Sequence, residues 1–265
     1  LAEAAKALAA GEFDAHVDIH TRDELQALGE AVNQIGPRLR ERDRMKRSLA
    51  LAHEIQQDLL PQTPPRLPGF DIAGGSVYCD ETGGDYFDYI ELLELGPGRM
   101  GIALADVSGH GVGAALLMAS ARGVLRTQAG LYGEDLSRVF NVLNRHLVRD
   151  TGPERFVTMF YGVLDADTKE LRWTSGGHDP ALWLRRKGGE IKELASEGIP
   201  LGVLDDFNYG QSGPVRLESG DMVVIGTDGI WEARSEKDEF FGKGRFRELL
   251  ARNQGRTAKE VYDAV

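Results

Sequence analysis

Three aspartates share one local design. Asp85 follows Gly83-Gly84, Asp106 closes the apolar run GIALADV ahead of Ser108-Gly109-His110-Gly111, and Asp228 closes MVVIGTDG ahead of Gly229. Each acid is expected at a strand end beside glycine, where backbone lacking a Cβ lets a ligand come close. Carboxylates gathered at the ends of buried strands are costly unless a positive charge compensates. A hard divalent cation compensates several at once, since Mg²⁺ and Mn²⁺ take oxygen ligands and keep several waters. Taken singly, an Asp-Gly after a strand is an ordinary turn, so the reading rests on the order and flanks of all three. Asp80 and Asp88 read as solvated loop acids. Cys79, in the apolar company SVYC, reads as a packed thiol and not as a nucleophile.

The elements that must position these acids follow from pattern. Residues 1–60 are rich in Ala, Leu, Glu and Arg. LAEAAKALAA is a helix former, FDAHVDIHT an extended connector, and Thr21 with Glu24 has capping-box spacing for a helix start. Leu25, Leu28, Val32, Ile35 and Leu39 then recur at the spacing of a coiled-coil seam. Gly36-Pro37 predicts a kink or break. A second seam resumes at Met45, Leu49, Ala52 and Leu59, and the polar RLRERDRMKR between them reads as a solvated helix face.

The proline-rich PQTPPRLPG ends the helical part. Beyond it come β-rich runs at FDIAGGSVY, DYFDYIELLE and MGIALADV, then two helices in GAALLMASARGVLRTQ and EDLSRVFNVLNRHLVRD. Strands return at FVTMFYGVLD and ELRWTSGG, then at PALWLRR and IKELA around Lys187-Gly188-Gly189-Glu190, and GDMVVIGTDGI reads as a buried strand. Helices close the chain from about Gly244. Strands in hairpins with helices grouped between them predict an α+β fold of antiparallel sheets, not βαβ units.

Composition narrows the function classes. A net charge of -11 argues against nucleic acid as a partner. One cysteine forms no internal disulfide, which fits a reducing, cytoplasmic setting. No apolar run approaches the ~18 residues of a membrane span. The opening at Leu1 and the close at YDAV, inside a helical pattern, read as a piece of a longer chain, which leaves room for an inner-membrane anchor upstream.

EIQQDLLP, CDETGGDYFDY, ALADVSGHGVGAALLMA, TMFYGVLD, SGGHDPALW, GIPLGV and VVIGTDGIWEA stand in that order. Together they resemble the SpoIIE-type branch of the PPM family, the metal-dependent serine/threonine protein phosphatases, from about Leu51 to Val265. AAGEFDAHV and RDELQALGEAVNQI resemble the C-terminal part of a HAMP signalling module. The division so implied is residues 1–39 partial HAMP, 40–60 a linker or switch helix, and 61–265 a phosphatase domain cut short at its C-terminus. The resemblance implies a four-layer α/β/β/α sandwich with two Mn²⁺ or Mg²⁺ ions at one end. Asp106 would bridge them with the Val107 carbonyl as a further ligand, Asp85 would hold one ion and Asp228 the other. The family's later aspartate, in an Asp-Asp-x-Thr stretch, has no counterpart within these residues, which puts full occupancy by both ions in question.

In such enzymes metal-activated water attacks phosphorus and no protein nucleophile is needed. His110, four residues after Asp106 on a glycine-flanked loop, is the candidate proton donor to the leaving serine. His178 in SGGHDP reads as a structural hydrogen-bonding residue. The resemblance also implies a substrate, phosphoserine or phosphothreonine on a STAS-domain anti-sigma-factor antagonist. The first seam implies a parallel homodimer. Two other readings stand beside this one. A GGDEF-type nucleotide cyclase would place an acid where Tyr86 stands and leaves DVSGHG and GTDGIW unexplained. A phosphatase fold kept as a binding module would not need three aspartates.

Overall fold

The structure is a computed structural model and describes residues 1–77, 83–152 and 154–265. Cys79 and Asp80 lie outside them. The chain divides into two compact units, Leu1–Ile55 and Gln56–Val265.

In the first unit, helix α1 (Ala2–Ala9) and an extended connector lead into α2 (Glu24–Leu59), within which the unit boundary falls. The cap of α2 is not the Thr21–Glu24 box. Asp23 Oδ1 accepts the Leu25 N–H at 3.0 Å and also the Thr21 hydroxyl. A carboxylate one residue before the helix reaches its free N–H groups directly.

The break expected at Gly36-Pro37 does not occur, and α2 continues through Pro37. Packing on the connector explains why an interior proline, worth about 3 kcal/mol against the helix, is tolerated. The Asn33 side chain exchanges two 2.7 Å hydrogen bonds with the Val17 backbone. At Gly36 an added Cβ would stand 2.5 Å from the Phe13 carbonyl, so only glycine admits the connector there. The small residues of α2 thus face the connector, while Leu25, Leu28 and Ile35 remain exposed.

In the second unit, β1 (Tyr86–Glu91), β2 (Arg99–Val107), β3 (Val157–Asp165), β4 (Glu170–Gly176) and β7 (Ser212–Arg216) form a sheet in the order β1-β2-β3-β4-β7. β5 (Ala181–Leu184), β6 (Ile191–Leu194) and β8 (Met222–Val224) form a second sheet in the order β6-β5-β8. Every pairing between these strands is antiparallel.

Three apolar clusters stack the layers. Leu117, Leu125, Phe140 and Leu143, from α3 (Val112–Tyr132) and α4 (Leu136–Asp150), pack on Val107, Met159 and Tyr161 of the larger sheet. Phe160, Leu164 and Trp173 of that sheet meet Ala181, Trp183 and Leu194 of the smaller one. Leu182 and Leu184 cover Phe246, Leu250 and Val261 from α6 (Lys243–Arg252) and α7 (Ala258–Ala264). The order is therefore α/β/β/α, held by side chains that each contribute about 1.5–3 kcal/mol on full burial.

Three local expectations fail. FDIAGGSVY forms no strand over its described residues, apart from a single bridge between Leu67 and Phe70. The strand in MVVIGTDG is only Met222–Val224 and is half-buried, and Asp228 begins a short helix, α5 (Asp228–Trp231), instead of ending a strand. Asp88 is not a solvated loop acid, because it lies inside β1 with its side chain fully buried. Its Oδ2 accepts the Tyr86 hydroxyl at 2.7 Å and Arg126 Nε at 2.7 Å, while Oδ1 accepts Arg126 Nη2 at 3.1 Å. Period-2 alternation puts Asp88 on the face of Tyr86 and Ile90, and the bidentate arginine from α3 is what makes an acid tolerable there.

Candidate active site

Strand register places the central acid. Asp106, one residue from the end of β2, stands directly opposite Thr158 of β3. Directly opposed residues point to the same face. Thr158 shares that face with Phe160 and Leu164, which fill the space between the sheets. Asp106 is thus aimed at the end of the inter-sheet layer.

Asp85 reaches it through the Gly-Gly turn. A Cβ at Gly84 would stand 2.5 Å from the Val107 carbonyl oxygen, so glycine is required for the turn to lie against the end of β2. Gln56, 3% exposed, holds the same turn from the last turns of α2. Its Nε2 donates to the Gly83 carbonyl at 2.6 Å and its Oε1 accepts the Gly83 N–H at 3.3 Å. Thr227, the cap of α5, donates its hydroxyl to Asp85 Oδ2 at 2.8 Å, and Asp228 follows as the first residue of that helix.

The electrostatics reflect this convergence. Burial first, then the charges of Asp85 and Asp228, push the Asp106 carboxyl up to about 7. Burial likewise raises Asp85, against the lowering effect of its Thr227 hydrogen bond, and Asp85 and Asp106 are hydrogen-bonded to each other. The principal charges acting on Asp106 are those of Asp85, Asp228 and Glu232, all negative. Carboxylates at such range favour a shared proton or a cation between them. An all-oxygen donor set with the Val107 carbonyl beside it fits a hard divalent ion. Among the described residues, no three His, Cys, Asp or Glu side chains converge tightly enough on one point to hold an ion unaided.

The two histidines separate. His110 is exposed on the loop between β2 and α3. His178 is half-buried, its Nδ1 lies 3.0 Å from the Thr158 hydroxyl, and desolvation of the ring lowers its pKa, which favours the neutral form. It braces the strand opposite Asp106, as the structural reading of SGGHDP expected.

Sequence reasoning missed Gln56, Thr227 and Arg126. Gln56 had a usable signal: it fills the position between Ala52 and Leu59 in the seam Met45, Leu49, Ala52, Leu59. A polar residue on an otherwise apolar face asks for a buried partner. Arg126 lies 38 residues from Asp88 and carries no local signal.

The family model Stage II sporulation protein E (SpoIIE) matches residues 96–265, and the HAMP domain model matches residues 1–41. Phosphoserine phosphatase RsbU of Bacillus subtilis is 30% identical over 83% of this chain and 65% of its own length. Protein IcfG of Synechocystis is 28% identical over 96% of this chain and 45% of its own. The chain therefore spans less than two thirds of these relatives. The SiaA-PP2C domain of Pseudomonas aeruginosa superposes with a TM-score of 0.68 at 22% identity, covering 84% of this chain and 88% of that domain, a likeness of fold. Among the described residues, no helix is long and apolar enough to cross a membrane.

Proposed function

Because this chain belongs to the family of stage II sporulation protein E, we propose that it is a metal-dependent protein phosphatase that cleaves phosphoserine or phosphothreonine. The observation that carries this reading is the gathering of Asp85, Asp106 and Asp228 from three elements, with Asp106 pushed up to about 7 by burial and by its acidic neighbours. Two Mn²⁺ or Mg²⁺ ions, when bound, supply Lewis-acid activation of water and neutralise the phosphoryl oxygens. Asp106, with the Val107 carbonyl beside it, would help hold both ions, Asp85 would hold one and Asp228 the other. Thr227 fixes which Asp85 oxygen faces inward, and Gln56 fixes the turn that carries Asp85. His110, four residues past Asp106, is the proposed proton donor to the leaving serine oxygen, a role its exposure on the loop supports.

The substrate proposed is a phosphorylated STAS-domain anti-sigma-factor antagonist. The phosphoserine phosphatase name borne by RsbU supports phosphoserine as the target. Residues 1–39 act as the HAMP part, 40–60 as the linker and 61–265 as the catalytic part. Leu25, Leu28 and Ile35, about half exposed at 51%, 51% and 45%, support a parallel homodimer through α2. Rotation or register change along α2 then reaches the Asp85 turn through Gln56.

The test is hydrolysis of p-nitrophenyl phosphate with Mn²⁺. Activity that is lost with a chelator and lost in Asp106→Asn supports the assignment. Turnover that survives both sinks it. The looseness of the acid group favours, as a second reading, a module that binds phosphoprotein without turnover. Mn²⁺-dependent binding of a phosphopeptide with no phosphate release would mark that case.

A further inference from the structure

We propose that a cleft at the free edge of β1 binds a small apolar α-amino acid, with its carboxylate on Arg122 and its ammonium toward Asp58 and Glu91. The site is separate from the acid group at the strand ends and does not depend on the phosphatase reading.

The backbone makes the cleft. β1 stands at the end of the larger sheet and pairs with β2 alone. The chain leaving α2 passes this free edge as Leu60-Pro61-Gln62-Thr63-Pro64-Pro65. Proline has no N–H with which to extend a sheet, so the segment passes the edge without pairing to it. About 330 Å³ stays open between this segment, β1 and α3. Small-molecule sites run from about 300 to 1,000 Å³. Pro61, Pro64, Pro65, Tyr89 and Met100 supply apolar wall. Asp88, which also lines the cleft, faces α3, whereas Asp106 faces the layer between the sheets.

The charges of the cleft are divided between its depth and its rim. In its depth one buried acid, Asp88, meets two arginines of α3. Arg126 is committed to Asp88 by the bidentate contact and to the Tyr89 carbonyl at 3.3 Å. Arg122, one turn earlier, comes only to 3.7 Å of Asp88 through Nε, too far for a hydrogen bond. That Nε is shielded from solvent and has no hydrogen-bond partner among the described residues. One positive charge is therefore left over. The Arg122 side chain lines the cleft and is 21% exposed, so a ligand would meet it beyond Nε. At the rim, Asp58 in the last turn of α2 and Glu91 closing β1 are exposed, and neither is in an ion pair or side-chain hydrogen bond among the described residues. A simple anion is repelled by this rim, and a simple cation by the surplus charge in the depth. A ligand carrying both charges and an apolar body satisfies all three surfaces, and its carboxylate suits the planar guanidinium.

The experiment is calorimetric titration of the whole chain with leucine, valine, methionine and phenylalanine. The tightest of these is then compared with the same molecule lacking its amine and the same molecule lacking its carboxyl group. The proposal expects saturable binding of at least one amino acid, binding at least about tenfold weaker without the amine, and none without the carboxyl group. Arg122→Met keeps the length of the side chain and leaves Arg126 on Asp88. It should weaken the amino acid and the deaminated acid alike, by about tenfold or more, as for loss of a charged hydrogen-bond donor. Asp58→Asn, at an exposed position, keeps the protein folded whatever Arg122→Met does to stability. It should weaken the amino acid while leaving the deaminated acid bound as well as before or better. Binding of none of the four amino acids, wild-type affinity in either variant, or an amine that binds as tightly as its parent amino acid would overturn the proposal.

Discussion

Asp106 concentrates the chemistry and the cost of the site in one side chain. Its folded pKa of about 7 lies above the ordinary 3.8, so the fold favours the protonated acid. Stability linked to this group is present below pH 4 and is lost as pH rises toward 7, where the folded protein must give up the proton it holds more tightly than the unfolded chain. Chelator-treated protein should therefore melt progressively lower between those values, relative to Asp106→Asn, which lacks the titrating group. A difference profile that is flat, or that slopes the other way, would refute this. Mn²⁺ competes with that proton, so its stabilising effect should grow over the same interval. At this scale the sequence was informative. Strand-end aspartates beside glycine pointed to Asp85 and Asp106, and the reason glycine is needed appears at Gly84, against the Val107 carbonyl. Thr227 was not legible, because a hydroxyl donating to an acid 142 positions away leaves no local trace.

Elements show where local reasoning stops. The helices α3 and α4 and the hairpin β5–β6 follow from periodicity and turn residues, because those signals are local. Pro37 misleads for the opposite reason: the connector packed at Gly36 and Asn33 holds α2 together across it. Asp88 misleads because its partner comes from another element. The bidentate contact from Arg126 ties β1, which follows directly from Asp85, to α3, which follows the loop after Asp106. Removing Arg126 would leave a fully buried carboxylate without its main partner. Arg126→Ala should lower the unfolding free energy by about 3 kcal/mol or more. Chemical denaturation would measure it, and a loss within the ±0.5 kcal/mol range of ordinary surface substitutions would show that the Tyr86 hydroxyl and the neighbouring Arg122 suffice.

Across the whole chain, two antiparallel sheets with helices outside could be anticipated from hairpins followed by grouped helices. The division into five and three strands could not, since it depends on β7 leaving its neighbours to pair with β4. The sandwich brings a Gly-Gly turn, a strand end and a helix start to one edge, and that convergence is the basis for reading it as a phosphatase. The most direct test is release of phosphate from a phosphoserine peptide in Mn²⁺, run on the unmodified chain beside Asp85→Asn, Asp106→Asn and Asp228→Asn. The account predicts turnover by the unmodified chain and a loss of at least about a hundredfold in each variant, the scale of removing one charge-stabilising group from a catalytic site. A silent unmodified chain, or wild-type turnover in any of the three, would contradict it.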